Sequence, residues 1–326
     1  MTNVGNLKQF IIRRAISAIP TVFFILLIAF LATRLAPGDP ITYLAGEHAP
    51  QELIDELKAK FGLDKPLHVQ FLIYFANLFR GDFGYSFVYR QSVLQVILER
   101  VPATVLLVGT SILFALIIGI ALAILSVRHL NSFIDTMVSS ASMIGYSLPV
   151  FWLAQLLTFI FAVKLKMFPA GGMINLRAQY TGIYRVLDVA YHLILPSLNL
   201  GLIYMGLISR LTKAEMAEVL TQDFILTARS KGIPERRVMK RHVLRNALAP
   251  VTTMTGVLVG LMLSGAIFTE TVFSWPGLGR LLYDSLFARD YPVVTAIFTV
   301  TSIVLIMVTA ITDILYSILD PRIRVE

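Results

Sequence analysis

Six long apolar stretches, nearly free of charge, constrain this sequence more than anything else in it: Ala15–Ala32, Thr104–Val127, Met137–Val163, His192–Ile208, Ala249–Phe268 and Val293–Leu315. A helix needs about 20 apolar residues to cross the ~30 Å hydrocarbon core of a bilayer. Each stretch meets that requirement. The composition agrees, with a mean hydropathy of +0.75 and 15% charged residues, where soluble domains carry about 25%. The sequence therefore predicts an all-α, polytopic membrane protein with six transmembrane helices. The first stretch follows Lys8, Arg13 and Arg14 in the manner of a signal peptide, but its apolar core exceeds the roughly 7 to 15 residues of one. It reads as an uncleaved anchor.

The formal charge of +8 does not point to nucleic acid in such a chain, because basic residues collect in cytoplasmic loops and fix topology. With the N-terminus placed inside, the short inner loops and tails hold fourteen Lys and Arg against six outside. Both termini are expected in the cytoplasm. The absence of cysteine removes disulfides, thiolate metal sites and a cysteine nucleophile.

Residues 1–35 form the inner terminus and first helix, 36–100 an extracytoplasmic cap, and 101–326 a five-helix core interrupted by an inner loop at 212–248. The cap is expected to contain two amphipathic helices, Gln51–Phe61, with Leu53, Ile54, Leu57 and Phe61 at helical spacing, and Val69–Phe79 after Pro66. Pro149 and Pro196 interrupt the third and fourth stretches, where a proline frees a backbone carbonyl and kinks a helix.

Charge within the stretches would mark an ion-coupled carrier. Arg34, Arg210, Glu270 and Asp313 lie only near the ends, where a long side chain reaches the interface. An autonomous carrier or channel is therefore disfavoured. The five histidines, at 48, 68, 129, 192 and 242, form no short-spaced pair. Ser147 and His192 are the one pair from which an intramembrane hydrolase could be imagined, without an orienting acid. No GxxxxGK[ST] phosphate loop occurs. Any nucleotide that powers this chain must be bound by another.

The inner loop carries explicit capping signals. Asp223 is placed as N-cap of a helix 224–231, Gly232 as its left-handed terminator, and Arg229 and Lys231 near its C-terminal dipole. Pro234 opens the next helix with Glu235 beside it. There Met239, Val243 and Ala247 form an apolar stripe opposite a basic face. A rigid helix of this kind suits docking to a partner.

The run Thr227-Ala228-Arg229-Ser230-Lys231-Gly232, followed by Arg236-Arg237-Val238, Arg245-Asn246-Ala247 and Pro250, resembles the cytoplasmic coupling loop of ABC importer permeases. More narrowly, the chain resembles the dipeptide/oligopeptide/nickel permeases, in the subunit with a large outer loop after its first helix. Pro37-Gly38-Asp39-Pro40, Gly62-Leu63-Asp64-Lys65-Pro66, Gly81-Asp82-Phe83-Gly84, Pro102-Ala103-Thr104, Ser147-Leu148-Pro149-Val150-Phe151-Trp152, Glu270–Gly279 and Asp320-Pro321-Arg322 fall in that family's order. The resemblance covers nearly the whole chain. One departure is that the family's Glu-Ala-Ala is Leu226, Thr227 and Ala228 here.

The resemblance implies a type I importer fold and a non-catalytic subunit in a bacterial or archaeal cytoplasmic membrane. Its partners would be a homologous second permease, two ATPase subunits that bind ATP and Mg, an extracytoplasmic solute-binding protein and the lipid bilayer. This chain would bind no cofactor. Its solutes would be di- or oligopeptides, with nickel chelates, glutathione and other small solutes as alternatives. Phe224, Thr227, Ala228, Arg229, Lys231 and Gly232 would form the coupling site, with Phe224, Ala228 and Gly232 packing in the partner's groove and Arg229 and Lys231 orienting it. Glu270 and Trp275 belong either to an outer interfacial anchor or to a re-entrant outer gate, and Tyr146 and Trp152 line the path or pack between helices.

Overall fold

The computed structural model describes residues 4–35, 50–60, 62, 64–86 and 88–319, with side chains over 19–312 apart from Leu53, Leu57 and Lys60. The Pro37–Pro40 and Asp320–Arg322 blocks, His48, and the side chains of Leu53, Leu57, Phe61 and Asp313 lie outside the described residues. In chain order the elements are α1 (Val4–Leu35), α2 (Gln51–Lys60), α3 (Leu67–Phe79), the two-residue strands β1 (Tyr85–Ser86) and β2 (Gln91–Ser92), and α4 (Val93–Arg128). Then come α5 (Phe133–Ser147), α6 (Val150–Leu157), which runs into a π-helical stretch at Thr158–Lys164, and α7 (Gly182–Leu220). The chain ends with α8 (Asp223–Ser230), α9 (Glu235–Arg237), a second π-helical stretch at Val238–Val243, α10 (Leu244–Val272), α11 (Leu278–Phe287) and α12 (Tyr291–Leu319).

Among the described residues, four helical segments are long and apolar enough to cross a membrane, and a bent pair makes a fifth. The first apolar stretch lies within α1, whose described side chains begin at Ile19. The third stretch is the bent pair and not one straight span. Leu148 is held extended before Pro149, at φ −74° and ψ 134°, because a proline ring excludes helical geometry from the residue ahead of it. α5 and its continuation through α6 therefore meet at 104°. Pro196 has no such effect, and α7 runs through it unbroken.

Two compact units emerge, Met1–Thr104 with Pro276–Ile306, and Val105–Trp275 with Met307–Glu326. This division differs from the three consecutive segments expected. α4 begins at Val93, inside the segment assigned to the cap.

In the first unit, α3 lies along α1. Phe71 packs edge-on against Phe23 and Phe30, with ring centroids 5.7 and 5.4 Å apart, and Phe75 meets Phe23 at 5.8 Å. Tyr74 shares a 2.9 Å hydrogen bond with Thr299 of α12. Phe23, Phe30 and Thr299 all belong to apolar stretches, so α3 packs directly against those helices. Its own sequence, LHVQFLIYFANLF, leaves Leu72 and Ile73 exposed on the other side. Below it, Thr33 of α1 and Thr295 of α12 share a 3.2 Å hydrogen bond. The β1–β2 ribbon is held at the head of α12, where the Asp290 carboxylate accepts hydrogen bonds from Ser86 Oγ at 2.5 Å and the Val88 amide at 3.2 Å.

In the second unit, glycines set the helix spacing. A Cβ on Gly206 of α7 would lie 2.3 Å from the carbonyl oxygen of Ser142 in α5, and one on Gly119 of α4 would lie 2.9 Å from that of Met205. Small residues allow this approach, on which helix association in lipid depends. Polar ties fix the register. Asn199 Nδ2 donates to Thr269 Oγ1 at 2.8 Å, and the hydroxyls of Thr110 and Ser197 stand 2.8 Å apart.

Replacing Gly206 with Val forces α5 and α7 apart, an overpacking cost of about 1–3 kcal/mol. The midpoint of thermal unfolding in detergent is expected to fall for Gly206→Val. It should hold for Gly109→Val, where nothing lies within 4 Å of an added Cβ.

Candidate coupling site

The inner loop is built around α8, whose eight residues are too few for an isolated helix, which is marginal in water below about 12–15 residues. Its N-cap is Gln222, extended at φ −80° and ψ 146° and offering no side-chain bond. Asp223, the expected cap, is instead the first helical residue. There its carboxylate still complements the positive end of the helix dipole. The helix stops at Gly232, whose φ of +71° is the left-handed region that glycine enters without a steric penalty. The Gly232 amide donates to the Arg229 carbonyl at 2.9 Å, and that of Ile233 to Ala228 at 3.3 Å. Pro234 sits one residue ahead of α9, as its N-cap.

Beneath α8 lies an apolar core. Ile225 and Ala228 pack with Val127 of α4, Met216 and Val219 of α7, Val238, Met239 and Val243 of the π-helical stretch, and Ala247 of α10. The expected stripe of Met239, Val243 and Ala247 is buried. Val238 joins it because the π-helical stretch does not keep the α-helical spacing from which the stripe was read.

This arrangement redistributes the residues expected to meet a partner. Phe224 is 40% exposed, and Thr227, Arg229, Lys231 and Gly232 are exposed. Ala228, expected in the partner's groove, faces the chain's own core at 5% exposure. Leu226, missed in the sequence, is 57% exposed. It occupies the first position of the triplet that departs from the family pattern, which was the available signal. Among the described residues, nothing lies within 4 Å of a Cβ added to Gly232.

Arg229 is engaged within the loop. Its Nη2 and Nε donate to the two carboxylate oxygens of Glu235 at 2.8 and 3.2 Å, a fork that pins the end of α8 to α9. That hydrogen bonding raises the Arg229 guanidinium above its ordinary range and lowers the Glu235 carboxyl below its own. Lys231, at the other side of the turn, is exposed, and among the described residues no ion pair forms on it.

The residues expected along a pathway divide in two. Glu270 and Trp275 are both fully buried, with the Trp275 amide donating to the Glu270 carbonyl at 2.8 Å. The turn before Trp275 is packed closely enough that the Phe273 carbonyl accepts from the Gly172 amide at 2.8 Å. Tyr146 and Trp152 stand on either side of the α5–α6 bend, each 47% exposed. Arg34 lies 5.5 Å from the centroid of the Phe30 ring.

The imagined hydrolase pair does not assemble. Ser147 Oγ donates to the Met143 carbonyl at 2.8 Å, and His192 Nδ1 lies 2.8 Å from the Asp188 carbonyl and 3.3 Å from its carboxylate. Each side chain is directed to its own helix, and among the described residues no hydrogen bond joins the two.

Long apolar helices that carry a short helix on an apolar footing define a polytopic membrane protein. The fold is that of the type I ABC importers. It matches a chain of a methionine ABC transporter in an inward-facing conformation with a TM-score of 0.56 and 15% identity, over 70% of this chain and 97% of that one. The chain belongs to the binding-protein-dependent transport system inner membrane component family, whose model matches residues 115–325. The N-terminal model of the same systems matches residues 7–108. An oligopeptide transport system permease protein of Bacillus subtilis is 39% identical over 98% of this chain and all of its own length. A di/tripeptide transport system permease protein of Pseudomonas aeruginosa is 39% identical over 97% of this chain and 98% of its own. A glutathione transport system permease protein of Escherichia coli is 38% identical over 97% and 99%.

The Arg229–Glu235 fork predicts a pH effect. Glu235 has a folded pKa below its unfolded one, so its contribution is present above the unfolded value and is lost as pH falls through the folded value. Both groups are well exposed, which limits the effect to about 1 kcal/mol or less. Hydrogen exchange at residues 229–236, corrected for intrinsic rates, should accelerate in the acid range for the natural chain and stay flat for Glu235→Gln.

Proposed function

We propose that this chain forms half of the translocation pathway of an ATP-driven importer of di- or oligopeptides and couples to separate ATPase subunits through α8. The observation that carries the proposal is the exposed surface of Phe224, Leu226, Thr227 and Lys231 on a helix whose other side is locked into a buried core. A partner that moves α8 moves the ends of α4, α7 and α10 with it. Closure of the ATPases on ATP and Mg, which this chain does not bind, would then switch the cavity between inward- and outward-facing states.

The assembly comprises this chain, a homologous second permease, two ATPases and an extracytoplasmic solute-binding protein. It sits in a bacterial or archaeal cytoplasmic membrane with both termini inside, the orientation favoured by the excess of basic residues in the inner loops. The three named relatives support a peptide-like solute. Glutathione is the second reading, because its permease matches at 38% identity against 39% for the other two.

The test is affinity purification of the tagged chain in mild detergent, followed by reconstitution with its co-purifying subunits. A second permease and two ATPases are expected, with uptake that needs ATP. A lone chain that moves solute in liposomes would instead make it an autonomous carrier. Gly232→Trp adds bulk where nothing among the described residues lies within 4 Å of an added Cβ, and like any side chain but glycine's it also strains the left-handed turn. Gly232→Asn keeps the left-handed turn that asparagine tolerates. Solute moved per ATP should drop at least about fivefold for Gly232→Trp and stay near the natural level for Gly232→Asn. Normal transport by the tryptophan variant would refute docking at this turn.

A further inference from the structure

At the end of the α5–α7 seam nearest the coupling core, a carboxylate is buried among donors from three helices and the loop between α4 and α5. Asp135, in the first turn of α5, is 7% exposed. Its Oδ1 accepts close hydrogen bonds from Lys213 Nζ of α7 and Ser126 Oγ of α4. Ser139 Oγ donates to the same oxygen at 3.4 Å, and the Asn131 amide donates to Oδ2 at 3.2 Å. Lys213 Nζ also donates to Ser139 Oγ at 3.0 Å. A buried pair satisfied in this way offsets its desolvation, whereas removing one partner strands the other.

The position of this tie gives it a role. Ser126 immediately precedes Val127, and Lys213 lies three residues before Met216, one turn along the same helix face. Val127 and Met216 both belong to the core beneath α8, to which α5 contributes no residue. At this end of the seam, α5 is joined to the coupling unit through Asp135. Further along, Ser142 and Gly206 are in close contact, three and seven residues from Ser139 and Lys213 on the same faces. Beyond Ser147 the chain turns through 104° into α6.

We infer that Asp135 is a positioning residue for transport, tying α5 through Lys213 and Ser126 to the helices that follow α8, so that displacement of the coupling helix is carried to the α5–α6 bend. The inference rests on the coupling role proposed above. Without the tie, α4, α7 and α10 still follow α8, but α5 lags behind them. ATP hydrolysis then continues while solute movement falls.

The experiment uses the complete transporter reconstituted in liposomes with its binding protein, with ATP hydrolysis and solute uptake measured in the same vesicles. The natural complex comes first: if it shows no ATP-driven uptake, the permease reading itself fails. The double variant Asp135→Asn with Lys213→Met removes both charges without leaving either ion unpaired. It is expected to assemble in natural amounts and hydrolyse ATP within about twofold of the natural rate, while moving at least about fivefold less solute per ATP. Asp135→Glu and Lys213→Arg, made singly, keep the charges and should recover most of that coupling, a recovery that loss of folding alone would not produce. Natural coupling in the double variant overturns the inference. So does a double variant that fails to assemble, because the tie would then be a folding element and not a positioning one.

Discussion

Burial of Ile225 and Ala228 against the ends of α4, α7 and α10 is the interaction on which the inner loop depends. An eight-residue helix does not hold its own shape, and burying a large aliphatic side chain contributes about 1.5–3 kcal/mol. Two inward residues therefore decide whether α8 is ordered. They also decide which residues face outward, since Phe224, Leu226 and Thr227 are exposed because Ile225 and Ala228 are not. The fork from Arg229 to Glu235 and the left-handed turn at Gly232 then fix the exit angle of the chain. A basic segment that would otherwise be a solvated tether becomes a fixed projection.

Inside the apolar helices the hydrophobic effect gives little orientation, because neighbouring side chains and lipid tails are equally apolar. Orientation comes instead from contacts that tolerate only one geometry. Gly206 against the Ser142 carbonyl is steric, Asn199 with Thr269 is a buried hydrogen bond, and Asp135 with Lys213 is ionic. The first unit uses aromatic edges for the same purpose, with Phe71 set between Phe23 and Phe30.

Much of this was legible in the sequence. Apolar stretches are a local property, so the helices of four stretches and the break at Pro149 could be read directly, although not the angle of the break. The left-handed turn that stops α8 was legible at Gly232, because glycine enters that region without a steric penalty, although the helix ends at Ser230 and not at Lys231. What failed to show were matters of facing and of distance along the chain. Phe224 and Leu226 are as apolar as Ile225 and Ala228, and nothing local says which pair meets the chain's own core. Glu270 and Trp275 sit at the end of a stretch, where anchoring is the usual outcome, yet both are buried. α3 was read from its spacing as an amphipathic helix of a cap, and that spacing does not show that Phe71, Tyr74 and Phe75 seat it against α1 and α12. Asp135 and Lys213 are 78 residues apart, beyond any periodicity.

The π-helical stretch at Val238–Val243 carries a consequence for descent. A π turn closes its hydrogen bonds one residue later than an α turn. It can therefore absorb one extra residue locally while the helix on either side keeps its orientation, whereas the same insertion in a plain helix would rotate everything beyond it by about 100°. Relatives one residue shorter here would be expected to carry an unbroken α-helix and to superpose on both flanks. Chain length between the coupling helix and α10 is thus free to drift by one residue without turning the helix that follows.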